Sequence, residues 1–240
     1  MSTSPLQLRG GISTGSVEID RQIGHGVPWG SVTVIEGRHG AGKSVLCQHL
    51  SYNALQSQSG VAFYTSDVGS PSLVAQMKSL GLDVLDHFLM DQLRIHPLEL
   101  SEEYPEPTDV LNLLLRHIMA LPPEFELIVI DSLTPLLPFC TKDEVLDFFF
   151  RCHQLSREGR TIVAVLDTRA MSVSLTEPLY SWCDIHLRLR MEVVTIERVV
   201  KALDVFKPVG DSVEAVPTIN FDVEPGHGIR VVLAKRESSE

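Results

Sequence analysis

Short apolar runs alternate along this chain with longer stretches of helical period. Continuous runs rich in β-branched residues predict strands over Val32–Glu36, Val61–Thr65, Leu93–His96, Leu127–Asp131 and Thr161–Leu166. Between them the apolar spacing lengthens, predicting helices over Lys43–Ser57, Ser70–Leu80, Asp109–Leu121 and Asp143–Glu158. In the first of these Cys47, Leu50 and Ala54 share one face, and Thr141 or Asp143 suits the cap of the last. Strands that are apolar throughout, and separated by helices, are strands buried on both sides. The order therefore predicts an α/β fold with a mostly parallel central sheet and helices on both faces.

Beyond Leu166 the pattern changes. Asp184–Leu189, Val193–Val199, Ala202–Phe206, Thr218–Phe221 and Ile229–Val232 are short runs set apart by polar or Gly/Pro turns, as expected of antiparallel strands appended to a parallel core. The Glu- and Pro-rich stretch Glu99–Pro107 predicts a surface loop, and Met1–Leu8 and Lys235–Glu240 loose termini. Helix Asp143–Glu158 carries Val145, Leu146, Phe148, Phe149, Phe150, Cys152 and Leu155, an arc wider than one sheet-facing stripe. It is either wedged between sheet and neighbouring helices or makes a partner contact through Leu146 and Phe150. At 240 residues, without internal repeats, the chain suits one α/β domain.

Composition narrows the function classes. The formal net charge is −11, from 31 acidic against 20 basic side chains, which argues against a protein that lives on bare nucleic acid. Arg157, Arg160, Arg169, Arg188, Arg190 and Arg198 are the residues from which a local basic edge would have to be built. The four cysteines show no CxxC spacing, so reduced, buried thiols are expected rather than a zinc site. No basic segment leads into an apolar signal core, and the apolar run Leu127–Phe139 is broken by Asp131 and two prolines, Pro135 and Pro138. The expectation is a cytoplasmic protein that meets a membrane only through partners.

The chemistry concentrates in Gly37-Arg38-His39-Gly40-Ala41-Gly42-Lys43-Ser44, between the first predicted strand and the first predicted helix. That context makes it a phosphate-binding loop: glycines let consecutive N–H groups curl around a β-phosphate, and the helix N-terminus adds its dipole. Lys43 supplies a point charge for the β- and γ-phosphates, and Ser44 a hydroxyl for Mg²⁺. Downstream, Leu127-Ile128-Val129-Ile130-Asp131 is a buried-strand pattern ending in a carboxylate, which predicts a second Mg²⁺-side group beside Ser44. Hydrolysis further needs a group to orient the attacking water. Asp67, just after the second predicted strand, is either that group or the cap of the helix near Ser70.

With these motifs the chain resembles the RecA/KaiC superfamily of P-loop ATPases, and within it the accessory ATPases of the archaellum, the archaeal flagellum. The resemblance runs from about Ile12 to Val232 and rests on Val17–Gly30, Ile35-Glu36-Gly37, the loop through Val45 to Gln48, Gln76–Leu80, Asp131-Ser132-Leu133, Phe148-Phe149 and Val223-Glu224-Pro225 before Gly228-Ile229. It implies a RecA-like core that binds ATP with Mg²⁺, assembles as a hexameric ring, and works with the motor ATPase beneath the membrane platform. Clock-type relatives carry two adjacent glutamates where this chain has Asp67-Val68, and Lys-Leu-Arg-Gly where it has Lys207-Pro208-Val209-Gly210. The resemblance thus implies that Lys207 and His227 approach a nucleotide, and that hydrolysis is slow or absent. The alternative is a working RecA/KaiC-type ATPase, either a DNA recombinase or a clock-like phosphotransfer enzyme.

Overall fold

A computed structural model describes residues 10–98, 110–169, 178–195, 198–207 and 218–232. The stretch Glu99–Pro107, both termini and Pro208–Gly210 fall outside the described residues. In chain order the elements are α1 Val17–Gln22, β1 Val32–Gly37, α2 Lys43–Gln56, β2 Val61–Thr65, α3 Ser70–Ser79, α4 Leu85–Leu89, β3 Leu93–Pro97 and α5 Val110–Ala120. They continue with β4 Leu127–Asp131, α6 Lys142–Arg157, β5 Thr161–Leu166, β6 Ile185–Thr195, β7 Arg198–Lys207, β8 Ile219–Glu224 and β9 Gly228–Val231. A single nine-stranded sheet runs β3-β2-β4-β5-β1-β6-β7-β8-β9. Pairing is parallel from β3 through β6 and antiparallel from β6 to β9.

Every residue of β1, β2, β4 and β5 is buried, which is why those segments read as mainly apolar, β-branched runs. Strand alternation sends neighbours to opposite sides: Ile35, Phe63, Val129 and Val163 pack with Leu46, Cys47 and Leu50 of α2. Val34, Tyr64, Ile130 and Ala164 pack with Leu114 and Ile118 of α5 and Phe148, Phe149 and Cys152 of α6. Helix α6 is therefore the wedged helix of the first alternative. Phe150, at 37% exposure, leans edge-on against Trp182 with ring centroids 4.9 Å apart. Thr141 is its cap, in a capping box with Glu144, contributing about 1 kcal/mol.

Two expectations are corrected. The run Asp184–Leu189 is not antiparallel to its core neighbour: Thr33 to Gly37 of β1 pair in parallel with Ile185 to Leu189. Nor is Val193–Val199 a strand of its own, because it spans the chain reversal, with Val193 facing Val199 across the β6–β7 hairpin. The physical reason is an alternation, Leu187, Leu189, Met191, Val193 against Arg188, Arg190, Glu192, that runs on without a Gly or Pro to mark its end. The short helices α1 and α4 are too brief to show a period and went unpredicted.

Candidate nucleotide-binding site

The carboxyl ends of the parallel strands converge on one cavity of about 610 Å³, the size of a small-ligand pocket and the place where open α/β sheets bind ligands. Its floor is the loop between β1 and α2. A Cβ at Gly37 would collide with the Leu189 carbonyl of β6. Gly42 has φ 96°, and a Cβ there would lie 3.2 Å from the Phe221 ring and from Lys201 Cδ. Both positions need glycine for close packing as well as conformation. Helix α2 has no side-chain cap at Gly42, so its first-turn N–H groups remain directed at the loop. Ala41 is buried beneath it, while Arg38, His39 and Gly40 are exposed.

Lys43 Nζ donates to the carbonyls of Gly37 at 2.7 Å and Arg38 at 2.9 Å. Burial lowers its pKa, and Asp167, Asp131, Cys47 and Asp67 pull the other way, so three carboxylates share its field. Asp131, at the end of β4, is 7% exposed. Burial pushes its carboxyl up to about 6, a rise that Asp67 reinforces and that the Ser44 hydroxyl and Lys43 oppose. Asp131 and Ser44 thus stand together on the cavity wall, with the carboxylate short of compensating charge.

The ends of β2 and β4 are stitched beside them. Ser66 N donates to the Asp131 carbonyl at 2.9 Å, and Ser132 N to Ser66 Oγ at 3.0 Å. Thr65 Oγ1 accepts from Asp67 N and Val68 N at 3.4 Å, and Ser66 Oγ reaches Asp67 Oδ1 at 3.2 Å. This turn puts Asp67 on the cavity wall with Lys43, Ser44, Val45 and Asp131. Asp67 is not the cap of α3, whose N-cap is Gly69 with no side-chain cap bond.

Two other residues are expected from the resemblance to approach a nucleotide. His227 is exposed in the β8–β9 turn with Nδ1 3.3 Å from the Pro225 carbonyl, and is not among the described cavity-lining residues. The backbone of Lys207 pairs with His186 at the end of β7, further along the strand than Lys201, which does line the cavity. Sequence reasoning missed Lys201, Val223, Gln48, Gln76 and Asp167 in the cavity wall. Asp167 had a readable signal, since it follows the apolar β5 as Asp131 ends β4. Lys201 had none, because only the hairpin register brings it to Gly42.

Four of the six candidate arginines of a basic edge have partners within the described residues. Arg160 donates to the carbonyls of Leu121 at 2.7 Å and Pro122 at 2.9 Å, Arg190 Nε to Asp204 at 2.9 Å, and Arg188 to Glu36, while Arg169 lies 3.7 Å from Asp167. All four cysteines are free thiols, and among the described residues no group of three or more His, Cys, Asp or Glu side chains could by itself hold a metal ion. No described helix is long and apolar enough to cross a membrane.

A parallel sheet carrying this loop, with a strand-end aspartate beside its serine, defines a P-loop nucleotide-binding fold. The family described as "ATPase: KaiC" matches residues 12–236. The chain is 30% identical over 224 residues to the archaeal flagellar ATP-binding protein FlaH of Sulfolobus acidocaldarius, covering 92% of this chain and 96% of that one. It is 30% identical over 148 residues to FlaH of Methanocaldococcus jannaschii, covering 58% and 61%. The crystal structure of flagellar accessory protein FlaH from the latter organism superposes with a TM-score of 0.76 at 23% identity, over 93% of this chain and 98% of that one. The chain belongs to the FlaH group of the KaiC ATPase family.

Proposed function

We propose that this chain binds ATP with Mg²⁺ and serves as a nucleotide-gated accessory component of the archaellum, engaging the motor ATPase at the cytoplasmic face of the membrane platform as a hexameric ring. The observation that carries the reading is the make-up of one cavity: a complete phosphate-binding loop with Asp131 and Ser44 beside it, and Asp67 on its wall where, by the resemblance, clock-type relatives carry two glutamates. The donor set fits a small hard cation, because a buried carboxylate pushed up toward 6 beside a serine hydroxyl is stabilised by one. Ser44 and Asp131 would hold Mg²⁺, which would supply positive charge against the phosphates. The residues of this chain do the rest. Loop N–H groups and the α2 terminus hold the phosphates, and Lys43 turns from the Gly37 and Arg38 carbonyls to meet them. Val223 and Lys201 line the cavity on the β8 and β7 side, where they would flank the nucleotide.

Aspartate reaches one methylene less far than glutamate, and a misplacement of ~1 Å can cost on the order of 100-fold in rate. Slow turnover makes bound ATP a lasting state. A partner that prefers that state then shifts the population of the assembly. The test is co-elution of the chain with its cognate motor ATPase with ATP and Mg²⁺, with ADP, and without nucleotide; the reading expects stable association only with ATP. Equal association in all three conditions would sink it. The second reading, a working RecA/KaiC-type ATPase, is favoured by one observation, that Asp67 faces the cavity rather than capping α3. Fast turnover independent of any partner would select it.

A further inference from the structure

One residue before the loop, Glu36 carries a carboxylate that is 2% exposed and lies outside the nucleotide cavity. Alternation along β1 sends it to the side of the sheet occupied by Val32 and Val34, opposite Ile35 and α2. Its partners come from two separate segments: the Tyr180 hydroxyl donates to Oε2, Arg188 Nε of β6 donates to Oε1, and His186 Nε2 stands 3.3 Å from Oε1. The rings form a stack, with Tyr180 and His186 centroids 3.7 Å apart and His186 and Phe206 5.2 Å apart. The Arg188 guanidinium lies 4.3 Å over Phe206, which is 53% exposed. A cluster of this kind is a poor way to gain stability, since well-packed apolar residues commonly match or exceed a buried ion pair. What it supplies is a fixed position.

That position is mechanically close to the phosphates. The next residue, Gly37, is pinned against Leu189 of β6 with no room for a Cβ, and its carbonyl accepts from Lys43 Nζ at 2.7 Å. The register that sets Gly37 opposite Leu189 also sets Glu36 opposite Arg188. A shift of β1 along β6 therefore moves the loop's first peptide and the anchor of Lys43 together. We propose that Glu36, held by Tyr180 and Arg188, is a positioning residue for the phosphate-binding loop, so that side chains on the far face of the sheet set nucleotide affinity. Arg188 and Phe206 are the solvent-facing end of this lever, one and two strands away from β1. The inference rests on the nucleotide-binding reading and deepens it.

The experiment titrates mant-ATP with Mg²⁺ against the unaltered chain, Tyr180→Phe, Arg188→Met, Glu36→Gln and the Glu36→Gln/Arg188→Met double variant, with the thermal midpoint of each measured without nucleotide. Each single variant is expected to weaken binding roughly 3- to 30-fold, the range seen for couplings without ligand contact. The double variant should bind no more weakly than Glu36→Gln alone, because both changes break one linkage. Tyr180→Phe and Arg188→Met are half-buried changes that keep the test readable if Glu36→Gln fails to fold. Lowered midpoints with unchanged affinity, or fully additive losses, would overturn the proposal and leave nucleotide binding intact. Failure of the unaltered chain to bind would instead overturn the nucleotide reading, and this inference with it.

Discussion

Glu36 and Asp131 are both buried carboxylates at the carboxyl ends of parallel strands, and their environments drive them in opposite directions. At Glu36 burial alone would raise the pKa, but contacts from His186, Tyr180 and Arg188 outweigh it and hold the carboxyl at about 2. At Asp131 burial prevails and pushes the carboxyl up to about 6, with the Ser44 hydroxyl and the Lys43 charge insufficient against it. The protein completes the first site with its own donors and leaves the second short of positive charge. One carboxylate belongs to the scaffold; the other suits a ligand that brings charge with it.

The largest effect expected is from Lys43→Ala, which removes the cation on the ligand side of this contrast. It should weaken ATP binding by on the order of 100-fold or more in a mant-ATP titration, since a charge-assisted contact to phosphate is lost. Retained tight binding would break the assignment of the loop. Next is Glu36→Gln, which leaves Arg188 without its carboxylate. At neutral pH it should cost about 2–3 kcal/mol in urea unfolding, less than a fully buried pair because Arg188 is partly solvated.

Asp131→Asn should act with the opposite sign. A folded-state pKa raised above the ordinary aspartate value is a cost at pH above about 6, relieved as pH falls through 6 toward 3.8. The nucleotide-free Asn variant should therefore be more stable than the parent at pH 7.5 by about 1–2 kcal/mol, with roughly half the advantage left at pH 5 and the rest lost toward pH 3.8. For Glu36 the depressed pKa contributes stability that is full above about 4.5 and lost as pH falls toward 2. Unfolding curves for both variants across pH 3–8 separate the two slopes; parallel slopes would erase the distinction. The smallest effect concerns rate: Asp67→Glu should raise ATP turnover by about tenfold if one methylene is the shortfall. An unchanged rate would show that another group limits hydrolysis.

These two carboxylates also mark how far the sequence could be read. Asp131 was legible because an apolar strand ending in a carboxylate, downstream of a phosphate loop, is a local pattern. Glu36 appeared only as part of the resemblance, since its partners lie at Tyr180, His186 and Arg188 and nothing local announces them. The core strands were legible for the same reason as Asp131: burial on both faces leaves a mainly apolar run. The β6–β7 hairpin was not, because no Gly or Pro marks the reversal, so Val193–Val199 read as a strand. Lys201 reaches the loop only through that hairpin's register, and went unseen with it. For Asp67 the sequence left two roles open; the absence of a side-chain cap on α3 removes one of them.

The central claim, that the cavity holds ATP more readily than it spends it, is tested most directly by one sample carrying radiolabelled ATP and Mg²⁺, followed for bound nucleotide and released phosphate with and without the cognate motor ATPase. The account predicts Mg²⁺-dependent retention of intact ATP, with turnover far below the ~10 s⁻¹ typical of enzymes. Rapid phosphate release at such rates, unaffected by the motor ATPase, would contradict it.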